Sequence, residues 1–464
     1  MTTCIKVTKY TTLLFFIFAL SLVFTTNLYA KVKVGETAAV NISSPSELRG
    51  EWAYAVTKSG ATFIKLHFKE LVLSGGDKVE LMDKNGASII SYSESRNDFW
   101  APAVDGDIVT VILASAGSSS RFVIDSYGYG DTAGESATAE VTCGGDDKTD
   151  RECHGATYRY NAAKSVGRML FQEYAGGGWY LCTGSLISPN GHFLTNNHCI
   201  STQYSAGTLD VRFNYEYSTC GGAILKPFDT YNGSVLLLTN AGLDFTLLTV
   251  NGNPATIYGY LPLSGRALTQ GDLIYIPQHP GGDPKKIAAT REGTIWCDVP
   301  QPMVSEGGYD ANSSFMHRCD TIGGSSGSPV LDTQNHVIGL HHTGYNLCPG
   351  SSVQGYNGAI LMSRILPLIA GNLPQDILDA NEGSCSGCSG WVWGMVNEAW
   401  RYTSGAQERM WLYFTTSAPS YVWIDHKAEP VLSKMATEAA ESYHWFGTYW
   451  TSGTRWTNAR LWYY

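Results

Sequence analysis

The chain has 464 residues, of which 44% are hydrophobic and 16% charged, and its 31 Lys and Arg against 41 Asp and Glu give a formal net charge of −10. This length predicts roughly three domains with ample material for packed cores. The acidic balance argues against nucleic acid or an anionic membrane surface as the main partner.

Residues 1–30 have the pattern of a secretion signal. Lys6 and Lys9 give a positive start, Leu13 to Phe24 is almost entirely apolar, and Leu28-Tyr29-Ala30 resembles a small-residue cleavage site. The apolar run is about a dozen residues long, too short to span a bilayer. The sequence therefore predicts an exported mature chain that starts near Lys31 and has no membrane span.

Residues 31–130 are predicted to form a small β-sandwich. Ile64, Leu66 and Phe68 alternate with polar residues at a period of two, and turn signals separate further strand-like runs. The region weakly resembles the CUB-like sandwiches of secreted enzymes and has no constellation of catalytic residues, so it is interpreted as a scaffold or a propeptide. Residues 131–152 are polar and Gly-rich, and are predicted to be a linker.

Two different domains follow. Residues 153–375 combine short apolar runs with Gly, Asn and Ser turns, which predicts an all-β domain. Residues 376–464 contain nine of the thirteen tryptophans, several strand-like runs and one helical pattern, PVLSKMATEAAESY, which predicts an aromatic-rich α+β domain. Its aromatic side chains would form a core if they pack together, or bind a polysaccharide or other polymer if they are exposed.

Ten of the eleven cysteines follow the predicted signal, and an even number in an exported chain predicts disulfides. All ten lie at or after Cys143, so only the later part of the chain is expected to be cross-linked. The CSGC at 385–388 lacks the two further ligands of a zinc site and is interpreted as a disulfide. No metal or cofactor is expected.

Three motifs together indicate nucleophilic catalysis. The glycines of DTIGGSSGSPVL (320–331) permit a turn that would expose a serine, LTNNHC places His198 at the end of a strand-like run, and GLDFTLL places Asp244 at the start of another. Each motif alone has a structural explanation: a tight turn, a buried histidine or a capping aspartate. Their order, however, is His198, Asp244, Ser326, which is one known order of a His-Asp-Ser triad.

With VIGLHHTG after the serine, these motifs resemble the trypsin-like (chymotrypsin-fold) serine endopeptidases. The resemblance covers residues 140–373, about half the chain, and is closest to the bacterial lysyl and glutamyl endopeptidases, where GxSGSP replaces GDSGGP. It implies a double six-stranded β-barrel and peptide hydrolysis through an acyl-enzyme. It also implies three disulfides, Cys143–Cys348, Cys153–Cys220 and Cys182–Cys199.

The resemblance assigns a role to each residue of the site. Ser326 would be the nucleophile, His198 the general base and Asp244 the carboxylate that orients it. The backbone N–H groups of Gly324 and Ser326 would form the oxyanion hole. Ser325 stands where animal trypsins have the aspartate that receives a new N-terminus. The expected means of keeping this enzyme inactive is therefore blocking by residues 31 to about 140.

The sequence leaves two specificities open. Asp320 matches the position whose aspartate makes trypsin prefer Lys and Arg, so we expect cleavage after Lys or Arg with Asp320 at the pocket floor. Thr321 and His341 instead match positions that hold an acidic P1 side chain in glutamyl endopeptidases. In that case Asp320 would be a structural carboxylate bonded to backbone N–H groups. The specificity acid of the lysyl endopeptidases has no counterpart at Gln354 to Gly358.

Two rival functions are compatible with the same residues. A protease fold whose chemistry has lapsed would serve as a binding module. Alternatively, residues 376–464 would make the chain an adhesin or polymer-binding protein with incidental proteolysis. The leading prediction is a secreted serine endopeptidase that acts on proteins or peptides.

Overall fold

The computed structural model describes residues 31–374 apart from 117–118, 136–140, 156, 346–347 and 349–355, and then the backbone of five strands between Gly390 and Trp462. The described chain is mainly β, as the sequence predicts, and its strand pairs are antiparallel except for one parallel pair near the C-terminal end. Within these residues no helix combines the length and apolar character needed to cross a membrane.

The first domain is a sandwich of two sheets. Its strands are β1 (Val32–Ser43), β2 (Gly50–Thr57), β3 (Phe63–Val72), β4 (Lys78–Met82), β5 (Ser88–Tyr92), β6 (Arg96–Trp100), β7 (Val104–Asp105), β8 (Ile108–Ser115) and β9 (Arg121–Glu135). One sheet has the order β2-β8-β4-β5, and the other contains β1-β9-β3-β6 with β7 on β3. Ile64, Leu66 and Phe68 are buried between the sheets, as their alternation predicts.

The second domain begins with a short strand and continues into a sheet that contains His198. The elements are β10 (Lys148–Asp150), α1 (Tyr158–Ala162), β11 (Val166–Gln172), β12 (Trp179–Leu186), β13 (His192–Thr195), α2 (Gln203–Thr208), β14 (Asp210–Phe213), β15 (Asp229–Asn232), β16 (Ser234–Asn240), β17 (Phe245–Val250) and α3 (Ala255–Tyr258), with 3₁₀ turns at Arg151–His154 and Ala163–Ser165. Seven strands pair in the order β15-β14-β11-β12-β13-β17-β16.

A second sheet of the same domain contains Ser326. Its elements are β18 (Ile274–Gln278), β19 (Lys286–Ala288), β20 (Thr290–Arg291), β21 (Ile295–Trp296), β22 (Gln301–Val304), β23 (Ser314–His317), β24 (Pro329–Asp332), β25 (Val337–Gly344), β26 (Asn357–Leu361) and α4 (Met362–Ile369), with 3₁₀ turns at Pro280–Gly282 and Ala370–Asn372. The order is β10-β19-β18-β24-β25-β26-β23-β22, with β20 and β21 as a separate hairpin. One core cluster joins the two sheets, with Leu194 and Leu247 from the first and Leu331, Leu340 and Ile360 from the second.

The connection between sandwich and protease region differs from the predicted linker at 131–152. Strand β9 continues to Glu135, and β10 pairs with β19 of the second sheet. In addition, β1 of the sandwich pairs with β12 of the first protease sheet, so the two domains share one sheet. The polar composition predicts a loop, but polar residues also occupy sheet edges, where pairing satisfies their backbone groups.

The structure contains the disulfides Cys143–Cys348, Cys153–Cys220 and Cys182–Cys199. Cys297 and Cys319 are buried free thiols.

At the C-terminal end, the five strands β27 (Gly390–Ser404), β28 (Gln407–Phe414), β29 (Tyr421–Asp425), β30 (Trp445–Ser452) and β31 (Arg455–Trp462) close into a barrel in the order β27-β28-β29-β31-β30. The predicted helix at 430–443 and the CSGC segment lie outside the described residues.

Candidate active site

Strand pairing brings the histidine and aspartate motifs together. Thr195, the last residue of β13, pairs with Thr246 on β17. His198 follows Thr195 by three residues and Asp244 precedes Thr246 by two, so both side chains lie at the same end of this strand pair. The Asn196 side-chain amide donates to the Asp244 carbonyl at 2.9 Å, which fixes the two turns against each other.

The imidazole of His198 and the carboxylate of Asp244 form a two-point contact. His198 Nδ1 lies 2.7 Å from Asp244 Oδ2, and the His198 backbone N–H donates to Oδ1 at 2.9 Å. Because a carboxylate only accepts, Nδ1 carries the proton of the neutral ring and Nε2 is the basic nitrogen. Both residues are buried, and Asp244 has a φ of +40°, in the left-handed region.

A second histidine contacts the same carboxylate. His342 Nδ1 lies 3.4 Å from Asp244 Oδ2, and its Nε2 lies 2.8 Å from Glu306 Oε2. Burial alone would raise the pKa of Asp244, but the charge and hydrogen bond of His198, with smaller contributions from His342, hold that pKa well below its usual range. Burial would likewise lower the pKa of His342, yet Glu306 and Asp244 raise it to about 9. Asp244 is therefore kept ionised between two imidazoles.

The serine motif folds as a turn between the two sheets. The Thr183 N–H on β12 donates to the Ser326 carbonyl, and the Gly327 N–H donates to the His341 carbonyl on β25, each at 2.9 Å. Gly327 has a φ of +88°, and a Cβ there would lie 2.1 Å from the Thr183 carbonyl oxygen. The motif thus requires glycine after Ser326, because the turn packs directly on β12.

The residues around the proposed oxyanion hole are equally constrained. Gly324 has a φ of +95°, and a Cβ there would lie 2.9 Å from the backbone nitrogen of Gly282. The Gly281 N–H donates to the Gly323 carbonyl at 2.6 Å, and the Thr183 hydroxyl donates to the Gly324 carbonyl at 2.8 Å. These bonds hold the backbone of 323–324 against the 3₁₀ turn at Pro280–Gly282 and against β12.

The neighbouring serines have structural partners. Ser325 Oγ hydrogen-bonds Gln278 Oε1 and the Ile322 backbone, and the Ser328 hydroxyl donates to the Ser325 carbonyl. Their hydroxyls therefore hold the turn closed on itself.

The disulfide Cys182–Cys199 links the histidine turn to β12. A ring nitrogen of His198 and both sulfur atoms lie within 4.8 Å of one another. Because the two sulfurs are bonded to each other, this group is not a set of metal ligands. Cys182 is adjacent to Thr183, whose N–H binds the Ser326 carbonyl. The disulfide therefore connects the histidine turn to a residue next to the one that holds the serine turn.

The contacts of Asp320 match the structural alternative rather than a pocket floor. The backbone N–H of Cys143 donates to Oδ1 at 3.2 Å, and that of Asp147 donates to Oδ2 at 3.0 Å. The residue is fully buried, and burial raises its pKa to about 6 despite these bonds. Asp320 thus anchors the segment that leads into β10.

The other two predicted specificity residues, Thr321 and His341, are also buried, and the ring of His341 contacts that of His317. His317 Nε2 lies 3.1 Å from His341 Nδ1, and the Cys319 N–H donates to His317 Nδ1 at 3.3 Å. Burial lowers the pKa of His317 well below its usual value, so that ring is neutral. Because His317 accepts at Nδ1, its ring proton lies on Nε2, and this Nε2 donates to His341 Nδ1. In the neutral form of His341, the ring proton is therefore on its own Nε2. Thr321 Oγ1 is buried and has no hydrogen-bond partner among the described residues.

Sequence reasoning missed His342, Glu306 and His317. His342 directly follows His341 in the VIGLHHTG motif. Neighbours on a strand face opposite sides, so the sequence could have indicated that the two histidines serve different sites. Glu306 and His317 have no local motif. His317 reaches this site only because β23 and β25 both pair with β26, and Glu306 follows β22, which pairs with β23.

Comparison with known proteins gives one family match and two relatives. Residues 142–358 match the family model "Lysyl endopeptidase, C-terminal domain". The chain is 33% identical over 340 residues to "Secreted RxLR effector protein 73" of Plasmopara viticola, covering 67% of this chain and 81% of that protein. It is 31% identical over 269 residues to the lysyl endopeptidase of Pseudomonas aeruginosa, covering 50% and 53% of the two chains.

Among solved structures, a Glu endopeptidase aligns with 21% identity and a TM-score of 0.35, covering 50% of this chain and 98% of that one. From the family match and the extended similarity to these relatives, the chain belongs to the trypsin-like serine endopeptidases and is related to the lysyl endopeptidases.

Proposed function

We propose that this chain is a secreted endopeptidase in which Ser326 attacks the scissile carbonyl, His198 transfers the proton and Asp244 orients the imidazole. The observation that carries this proposal is the two-point contact of Asp244 with His198. It leaves Nε2 as the basic nitrogen, and the low pKa of Asp244 keeps its charge available to stabilise the imidazolium. The N–H groups of Gly324 and Ser326 would bind the oxyanion, a contribution of about 3 kcal/mol per donor.

Substitution of neighbouring serines tests the register of the nucleophile. Ser326→Ala should abolish both peptide hydrolysis and labelling by a fluorophosphonate. Ser325→Ala is the matched control, because it removes a hydroxyl whose contacts are with Gln278 and Ile322, and it should keep most of the activity. The opposite result would move the nucleophile by one residue, and no labelling of the unmodified chain would support a lapsed protease fold.

The contacts of the predicted specificity residues Asp320 and His341 favour an acidic P1 side chain. Both oxygens of Asp320 are occupied by backbone N–H groups, so pairing a substrate Lys or Arg would require breaking those bonds. The tautomer derived for His341 makes its Nε2 a donor, which suits a carboxylate and repels a cation. Thr321 Oγ1 would add a second donor. Cleavage after Lys, which the name of the Pseudomonas relative suggests, is the competing specificity.

Fluorogenic peptides that differ only at P1 decide between the two specificities. We expect Glu to exceed Gln, Lys and Arg, and His341→Ala to remove that preference. His336→Ala is the control, since that histidine lies on a turn beside Asp332. If Lys or Arg is preferred and Asp320→Asn removes that preference, the basic specificity is correct.

Export is part of the same proposal. Residues 1–30 have the signal pattern, one relative is named as a secreted effector, and three disulfides suit an oxidising compartment. N-terminal sequencing of protein from culture medium tests the predicted start at Lys31. A pull-down of the full chain on insoluble polysaccharides, compared with a chain that ends at residue 375, tests polymer binding by the C-terminal region.

A further inference from the structure

The strand that joins the sandwich to the protease region ends beside the proposed catalytic residues. β1 runs antiparallel to β12, and Val32 pairs with Leu181. Two residues further along β12, Thr183 binds the Ser326 carbonyl. Backbone N–H and C=O groups alternate between the two edges of a strand, so Leu181 and Thr183 use the same edge. Ser326 and β1 therefore lie side by side on that edge, about 7 Å apart along the strand.

The side chain at the start of β1 reaches the histidine turn. Lys31 Nζ donates to the His198 carbonyl at 3.3 Å and pairs with Glu173 at 2.7 Å. Val32 is buried in a cluster with Trp179 and Trp100. These contacts seat the beginning of β1 against the site.

The direction of β1 identifies which part of a substrate it replaces. Its N-terminal end points at Ser326 and the chain then runs away from the site. A substrate segment in the same place and direction would have its N-terminus at the nucleophile. The part of a substrate whose N-terminus is created at the scissile bond is the leaving group.

We propose that residues 31–35 occupy the leaving-group side of the active site as a built-in strand, and that they exclude substrates with long extensions after the cleaved bond. The edge of β12 is a peptide-binding edge of the β-augmentation kind, and its occupant is this chain itself. The inference rests on the proposed role of Ser326. Peptides with one residue after the scissile bond fit as the chain stands, whereas longer ones require β1 to leave β12.

A series of quenched peptides tests this directly. All the peptides would share one sequence before the cleaved bond and carry one, two or four residues after it. A peptidyl nitroanilide, which has no residue after the cleaved bond, is the reference substrate. For the chain that starts at Lys31, kcat/KM should fall about tenfold or more from one residue to four, the equivalent of one or two lost backbone hydrogen bonds. A chain that starts at Gly35 should lose most of that difference and keep its nitroanilide rate within about twofold.

Lys33→Ala is the matched control, because it truncates a side chain of β1 and leaves the backbone pairing with Tyr180 in place. It should behave like the unmodified chain. Equal rates on short and long peptides in the unmodified chain would overturn the inference, as would a length effect that persists when the chain starts at Gly35.

A second measurement needs no variant. When the acyl-enzyme is offered amino-acid, dipeptide and tetrapeptide amides in place of water, lengthening the amine should give no gain in transfer, and a clear gain would overturn the inference. A chain that neither reacts with a fluorophosphonate nor hydrolyses the nitroanilide would overturn the proposed function, and this inference with it. Labelling with no length effect would overturn the inference alone.

Discussion

Replacing Asp320 by Asn separates a structural carboxylate from a specificity acid. The two oxygens of Asp320 accept the N–H groups of Cys143 and Asp147, in the segment that also holds the Cys143–Cys348 bridge. Asn offers one acceptor and turns an NH₂ group towards the second N–H. The substitution also removes a buried titratable group whose pKa burial raises from 3.8 to about 6.

The size of the pH effect follows from that change. A carboxyl whose pKa is higher in the folded chain binds its proton more tightly there than in the unfolded chain. Its contribution therefore favours folding below about pH 4 and is lost as the pH rises to about 6. Each pKa unit corresponds to about 1.4 kcal/mol, so the full effect is about 3 kcal/mol, of which about 0.6 kcal/mol is already lost at pH 4. Asp320 should therefore make the wild-type chain about 2.4 kcal/mol less stable at pH 7 than at pH 4, relative to a chain without it.

Urea unfolding at pH 4 and pH 7 measures this difference, in a Ser326→Ala background that prevents self-digestion. All other titratable groups are shared, so the change in pH dependence between the chain with Asp320 and its Asp320→Asn variant isolates this carboxyl. Asp146→Asn is the control, because Asp146 is an exposed neighbour that pairs with Lys148. If the chains with and without the Asp320 carboxyl have the same pH dependence within about 0.5 kcal/mol, Asp320 is not the buried anchor described above.

Three further outcomes are expected. Double Ala substitution of Cys182 and Cys199 should cost about 2–5 kcal/mol of stability and lower kcat more than it raises KM, since it loosens the His198 turn; unchanged kinetics would contradict this. Asp210→Ala should cost about 3–5 kcal/mol in unfolding experiments, because it leaves Lys65 buried without its counterion; a cost below about 1 kcal/mol would contradict it. Glu306→Gln should lower the pKa of His342 from about 9. If the charge of His342 supports the Asp244–His198 pair, the alkaline decline of kcat/KM should move to lower pH, and an unshifted profile would argue against that support.

The candidate site could be predicted from sequence because its residues lie in short motifs with strong local requirements. Gly324 and Gly327 are needed where φ is positive and another backbone is in contact. His198 and Asp244 each lie within three residues of a paired strand end. Motifs of this kind keep their order along the chain, so three weak signals could be combined into one arrangement.

The specificity residues could not be settled in the same way. Position alone makes Asp320 equally compatible with a substrate cation and with backbone N–H groups. The choice depends on residues 141–147, which are far away in sequence and polar enough to be taken for a linker. The proton position on His341 likewise depends on His317, which reaches it only through the sheet.

The pairing of β1 with β12 had no signal in the sequence, because hydrophobic alternation predicts strands but not their partners.

The pairing of β1 with β12 nevertheless bears on whether the sandwich is a scaffold or a propeptide. Lys65 is buried and lies 2.6 Å from Asp210 of the protease sheet, whose Oδ2 also accepts the Ala103 N–H of the sandwich. Removal of the whole sandwich would take away the cation that pairs with Asp210 and would expose the apolar side chains that pack against the sandwich, among them Leu170, Trp179 and Leu181. These contacts favour a permanent scaffold. If β1 blocks the site, trimming only residues 31–34 would open it while the Lys65–Asp210 pair stays in place, so the proteolytic step to look for is a short N-terminal trim and not the loss of a domain.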